Sequence, residues 1–218
     1  MNVGIFLFDE VEVLDFAGPF EVFSVAARVQ SRREPNAPKA FEVLTISEAR
    51  GLVRARGALM VQAAFTLATH PHIDLLIVPG GVVDAELEKS NVIEWVKRID
   101  VSSQLTASVC TGAFILGRAG LLDGLEATTH WEDIPDLERA QPNVTVLGDV
   151  DWVDQGRIVT SAGISAGINM SLYLVSRCTR PNWRWRRPAK CSTFGRVSLK
   201  PARGTIRERR LEIPDWKI

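Results

Sequence analysis

Short apolar runs alternate along this chain with longer stretches whose apolar residues recur at helical spacing. Residues 3–8 (VGIFLF) form a continuous apolar run of the kind that makes a strand buried on both faces. Behind Gly18, Pro19 suits the first turn of a helix, and Phe20, Val22, Phe23, Ala26 and Ala27 supply an apolar face to about Val29. Residues 41–47 predict a second strand, and residues 52–56 and 58–62, parted by Gly57, a hairpin-like pair. A buried strand over 73–78 (IDLLIV) stops at Pro79, Gly80 and Gly81, and a helix follows over 84–99. The strand over 105–109 runs into Cys110, Thr111 and Gly112, with a helix over 113–119 behind it. Short strands at 144–146, 150–153 and 157–160 and a closing helix over 163–177 complete the series. Strand–helix alternation in this order predicts an α/β sandwich on a mostly parallel sheet.

Composition narrows the class without changing that picture. The chain has 218 residues, 46% hydrophobic and 24% charged, the balance of an ordinary globular protein with one core. Its apolar runs fall short of the roughly 18–20 residues of a membrane span. Asp9 and Glu10 arrive too early for the first run to be a signal peptide. The three cysteines, at 110, 178 and 191, form no CxxC pair, so neither a disulfide framework nor a zinc cage is expected, and the cytoplasm is the expected compartment.

Charge adds a boundary. Residues 178–218 hold 12 Lys and Arg against 3 Asp and Glu, a local +9 that leaves −9 on residues 1–177. The chain is therefore read as an α/β domain over 1–177 and a basic Arg/Trp/Pro-rich tail over 178–218. Arg interleaved with Trp183 and Trp185 suits phosphate contacts and base stacking, and equally suits docking on the acidic body. A change of coding frame after Arg177 is a third origin for this segment. Nucleic acid is the least favoured of its partners, because basic runs are more often tails than sites.

Three segments carry candidate chemistry, each at the carboxyl end of a predicted strand, where open α/β sheets bind ligands. A nucleophile at Cys110, on a tight strand-to-helix turn with Gly112 beside it, is lifted out of the sheet, and a helix N-terminus there favours the thiolate. A free cysteine is also a common buried hydrophobe. Gly80 and Gly81 let backbone N–H groups face the cleft as an oxyanion hole does, or simply make a turn. Asp15, between Leu14 and Phe16, is either a helix N-cap or a semi-buried acid whose pKa is raised for proton transfer. His130, before Trp131 and on what should be the next strand end, either orients the thiol or packs with one nitrogen bonded.

The segments VPGG, SVCTGAFILGRAGLLDG, ATTHW and TSAGISAGINMSLYLV, with LDFAGPFEVF near the start, resemble the ThiJ/PfpI superfamily from Asn2 to about Arg177. The resemblance implies a flavodoxin-like (class I glutamine amidotransferase-like) three-layer sandwich, a cysteine nucleophile elbow and a homodimer. Within the superfamily the pattern looks most like isocyanide hydratases. Asp15 stands where many members have glutamate, and Thr111 directly follows Cys110. The same pattern resembles the amino-terminal half of AraC-type regulators, whose helix-turn-helix pair this chain is expected to lack. The hydratase likeness implies Cys110 as nucleophile and Asp15 as acid and base. Thr111, Gly80 and Gly81 would orient a small-molecule substrate and water, and Ile164 would pack near the cysteine. It implies no cofactor and no metal.

Overall fold

The buried runs become a central sheet in the computed structural model, which describes residues 1–179 and the backbone of residues 202–204. In chain order the elements are β1 (Asn2–Leu7), α1 (Val13–Arg33), β2 (Glu42–Ser47), β3 (Leu52–Arg54), β4 (Met60–Gln62), β5 (Phe65–Thr66) and β6 (Leu75–Val78). There follow α2 (Asp84–Leu87), α3 (Ser90–Ser102), β7 (Leu105–Val109), α4 (Gly112–Arg118), β8 (Glu126–Ala127) and α5 (Ile134–Ala140). The last are β9 (Thr145–Val146), β10 (Trp152–Asp154), β11 (Ile158–Ser161), α6 (Ser165–Cys178) and β12 (Ala202–Gly204). The sheet runs β12-β10-β11-β7-β6-β1-β2-β5. All its pairs are parallel except those that β10 makes with β11 and β12. Every residue of β6, β7 and β11 is buried, as a strand covered on both faces requires. Helices α1 and α6 pack on each other as one layer, and α2, α3 and α4 pack together as the other, giving a flavodoxin-like three-layer sandwich.

Chain order explains where a ligand belongs. From β1 the chain steps outward to β2 and β5, then returns to the other side of β1 through β6, β7 and β11. The crevice beyond the carboxyl ends at that reversal is the natural ligand site of such a sheet. Four connections open into it: from β1 to α1, from β6 to α2, from β7 to α4, and from β11 to α6.

Several predicted elements shift. Helix α1 begins at Val13, with Pro19 inside it rather than in its first turn. Glu12 is the N-cap, its own carboxylate accepting from the Val13 N–H, so the cap role open to Asp15 falls to Glu12. Burial of Asp15, Phe16, Gly18, Pro19 and Phe23 along one stripe holds the helix together across the proline. Pro19 has no N–H for the carbonyl four residues back, which is that of Asp15. The helix expected over 84–99 divides into α2 and α3. Lys89 is extended there, and its ammonium bridges buried Glu86 and Glu48 at 2.8 and 2.9 Å. His130 lies beyond β8, which pairs only with β9 and stands apart from the central sheet. Among the described residues no helix is long and apolar enough to cross a membrane. Apart from Cys178 at the end of α6, Thr179 and the edge strand β12, the basic tail lies outside the described residues.

Candidate active site

Cys110 sits between β7 and α4 with φ at 55°, a left-handed backbone that non-glycine side chains rarely adopt. Such a residue costs of order 1–3 kcal/mol and persists only where its surroundings impose it. Three contacts impose it here. The Cys110 N–H donates to the Ser161 carbonyl of β11 at 3.0 Å. Its carbonyl accepts the buried Thr129 hydroxyl at 2.9 Å. Gly112 draws the start of α4 against β6 so tightly that a Cβ there would lie 2.1 Å from the Val78 oxygen. Cys110 is buried, with 9% of the residue exposed.

Helix α1 brings Asp15 to the same point, fully buried. Its Oδ1 accepts the Ile164 N–H at 3.0 Å, whereas Oδ2 has no hydrogen-bond partner among the described residues. The Cys110 thiol and the Gly80 backbone lie alongside this carboxyl. Burial pushes the Asp15 pKa up, and the Ile164 N–H only partly offsets it. Burial, and then the Asp15 charge, push the Cys110 thiol up to about 12. α4 begins at the elbow, so its N-terminus favours the expected thiolate, while desolvation and the neighbouring carboxylate act against it. Thiol and carboxyl lie side by side, both pushed up by burial.

Thr111, Gly80 and Gly81 converge on the elbow in a different division of labour from the one expected. The Thr111 hydroxyl accepts the Gly81 N–H at 2.9 Å and donates to the Gly81 carbonyl at 2.8 Å. Gly81 therefore offers no free N–H, and the Thr111 hydroxyl braces the glycine turn instead of facing the cleft with its proton. Gly81 itself has φ of 140°, and a Cβ on it would stand 2.2 Å from the Glu10 oxygen, so the turn also packs on the loop after β1. Gly80 is needed for access. A Cβ there would lie 2.6 Å from the Thr111 nitrogen and 2.8 Å from the Cys110 Cβ.

Ile164 joins the site through its backbone, with its N–H on Asp15, φ of 56° and its side chain 44% exposed at the N-terminus of α6. His130 is also close. A Cβ on Gly163 would stand 2.9 Å from His130 Cδ2 and 3.2 Å from the Cys110 sulfur. The His130 Nδ1 lies 3.4 Å from Asp133, whose pKa burial pushes up. Residue-by-residue reading missed Thr129, Gly163 and Asp133. Thr129 was visible only as part of ATTHW, and Gly163 only as the first residue of the predicted closing helix.

This geometry has counterparts among known proteins. The description "DJ-1/PfpI family" matches residues 1–177. An isonitrile hydratase of Pseudomonas putida is 29% identical over 178 residues, covering 80% of this chain and 70% of that protein. The HTH-type transcriptional regulator CdhR of Pseudomonas aeruginosa is 31% identical over 131 residues, which are 60% of this chain but only 39% of the regulator. A ThiJ/PfpI family protein from Pseudomonas syringae superimposes with a TM-score of 0.69 at 22% identity, covering 81% of this chain and 68% of that one. The family match runs from the first strand to Arg177 in α6, and on that extent the chain belongs to the DJ-1/PfpI family.

Proposed function

We propose that this chain is a cysteine-dependent hydratase that adds water to an isocyanide and releases an N-substituted formamide. The observation that carries this reading is the fully buried Asp15 carboxyl, held by the Ile164 N–H and lying against the Cys110 thiol at its left-handed elbow. Such a pair suits a reaction in which one proton must leave sulfur as sulfur attacks and then be given back elsewhere. Cys110 sulfur bonds to the isocyanide carbon while Asp15 takes the thiol proton and delivers it to that carbon, leaving a thioimidate, S–CH=N–R. Asp15 then takes a proton from water as the water oxygen bonds to the same carbon, and passes that proton to the nitrogen, giving S–CH(OH)–NH–R with the carboxylate restored. Collapse breaks the C–S bond, the hydroxyl proton passes by Asp15 to sulfur, and O=CH–NH–R leaves. The sum is one isocyanide plus one water, with no redox change and the thiol restored. Proton transfer of this kind contributes about 10²–10⁴ in rate.

Similarity to the isonitrile hydratase supports the choice of substrate, and the raised pKa of Asp15 supports the acid–base role. As part of the same reading, the enzyme acts in the cytoplasm as a homodimer. A second reading has its own support: the similarity to CdhR and the burial of Cys110 suit a ligand-sensing module. Incubation with an aryl isocyanide, followed by formamide absorbance, decides between them. Turnover by wild type but not by Cys110→Ala is expected. A stable mass adduct on Cys110 without product release selects the sensing module.

A further inference from the structure

We infer that the open edge of β2, with the groove that α1 forms beside it, is a docking site for an extended acidic peptide, added to the sheet as a further strand. β1 pairs with β2 along its whole length, whereas β5 covers the other edge only at Ile46 and Ser47. The Glu42 N–H donates to the Met1 carbonyl on the β1 side, so strand alternation turns the N–H and C=O of Val43 outward. No strand among the described residues takes them. An unpaired edge of this kind is a template for a strand from another chain.

The groove selects what that strand carries. It holds about 430 Å³ between one stripe of α1, from Phe20 to Arg32, and Phe41 to Val43 at the start of β2. The helical rise from residue 20 to residue 32 is about 18 Å, the reach of about five extended residues. Phe20, 38% exposed, and Phe41 supply apolar surface. Arg28, Arg32 and Lys39 supply positive charge, against Glu42 among the lining residues. Glu21 holds Arg28 at 2.9 Å, whereas Arg32 and Lys39 are exposed and have no ion pair among the described residues. Charge also chooses between occupants. The edge is open only as far as Thr45, whose hydroxyl accepts the Ala64 N–H, so two copies would have to pair around Val43. That pairing sets Arg32 and Lys39 against their own counterparts, and the segment over 178–218, at +9, has the sign of the groove. The occupant is therefore a chain of opposite sign, with carboxylates at Arg32 and Lys39, an apolar side chain at Phe20 and its backbone on Val43.

This site does not depend on what Cys110 does, so its test needs no turnover. The probes are fluorescein-tagged pentapeptides with Thr second and fourth, and one Phe and two Glu over the first, third and fifth positions in each order. They are titrated with the full chain and read by anisotropy. One order is expected to bind roughly tenfold more tightly than its counterpart with Lys for Glu, and Arg32→Glu combined with Lys39→Glu is expected to remove that preference. Both side chains are exposed, so the double variant keeps the wild-type melting temperature. N-methylation of alternate residues in the bound peptide is expected to weaken it roughly tenfold in one register and not in the other, since a strand turns only every second N–H to its neighbour. Failure of all three peptides to bind at millimolar concentration overturns the inference, as does binding that ignores the charge reversal or both methylations. Self-association of the chain that the peptide displaces assigns the edge to a second copy and overturns it too.

Discussion

Two buried aspartates stand near the ends of this sheet and are treated in opposite ways. Asp154, at the end of β10, is 8% exposed and fully engaged: Arg177 donates to Oδ2 at 2.7 Å, the Tyr173 hydroxyl donates to the same oxygen, and the Gly156 N–H donates to Oδ1 at 2.8 Å. Asp15 is more deeply buried, has no counter-ion among the described residues, and accepts the Ile164 N–H beside the Cys110 thiol. A buried carboxylate with a counter-ion and complete hydrogen bonds belongs to the architecture. One held without a counter-ion beside a nucleophile stores the imbalance that proton transfer uses. The fold tolerates the second because α1 and α6 close over it from both sides, joined by the Ile164 N–H.

The comparison predicts that the two Asp→Asn variants diverge in both activity and stability. Asp15→Asn should lose about 10²–10⁴ in turnover of an aryl isocyanide, with Cys110→Ala inactive. Because the folded Asp15 pKa is raised, its protonated form favours the fold, and that stability is present below its ordinary value near 3.8 and lost as pH climbs through the raised one. Asp15→Asn should therefore flatten the acid side of a melting-temperature-against-pH curve and not lower the melting temperature at pH 7. Asp154→Asn should do the reverse. Disrupting a buried, hydrogen-bonded ion pair costs about 3–5 kcal/mol, while chemistry at the cysteine elbow continues in whatever fraction stays folded. Equal melting shifts in the two variants break the distinction between them.

How much of this was legible along the chain depends on how far apart the partners lie in it. The buried run over 105–109 followed by Cys110, Thr111 and Gly112 announced the elbow, since strand, nucleophile and glycine are consecutive. Asp15 was legible as a candidate acid, yet its helix position was misplaced because Pro19 reads as a helix start. The ionisation of Cys110 is hard to read from the chain for a related reason. The helix N-terminus is local and visible in sequence, whereas the desolvation and the carboxylate that oppose it arrive with α1 and α6. Thr129 was invisible in the same sense. Beside Thr128 it reads as strand propensity, and only the meeting of the segment after β8 with the end of β7 gives it the Cys110 carbonyl.

The interplay of the acid and the thiol offers a sharper, smaller measurement. A thiol near 12 alkylates at a rate that climbs about tenfold per unit between pH 7 and 10, without a plateau. Replacing Asp15 by Asn removes the adjacent negative charge, so the thiol pKa falls and iodoacetamide reacts faster at pH 8, by severalfold. The same substitution slows hydration. Opposite signs on one variant are the mark of a carboxylate that suppresses the resting thiolate but moves the proton during turnover. A slower alkylation in Asp15→Asn would mean that the carboxylate already draws the proton from sulfur at rest.

His130 gives the smallest expected effect and settles which side of the thiol carries the proton. Its ring edge lies near Gly163 and the sulfur, and its Nδ1 faces Asp133, an arrangement that a cysteine hydrolase or amidase can use with His130 as base. In the hydratase reading the ring only shapes the pocket wall, since Asp15 lies buried against the thiol and needs no relay. His130→Gln should then reduce kcat/KM for an aryl isocyanide less than tenfold, mainly through KM, and leave the alkylation profile of Cys110 in place. Should His130 be the base, the same variant loses two orders of magnitude or more in kcat, and Asp15→Asn the smaller share. The ratio of the two losses therefore assigns the proton to α1 or to the segment behind β8 whatever substrate is used, because both variants act on one sulfur from opposite neighbours.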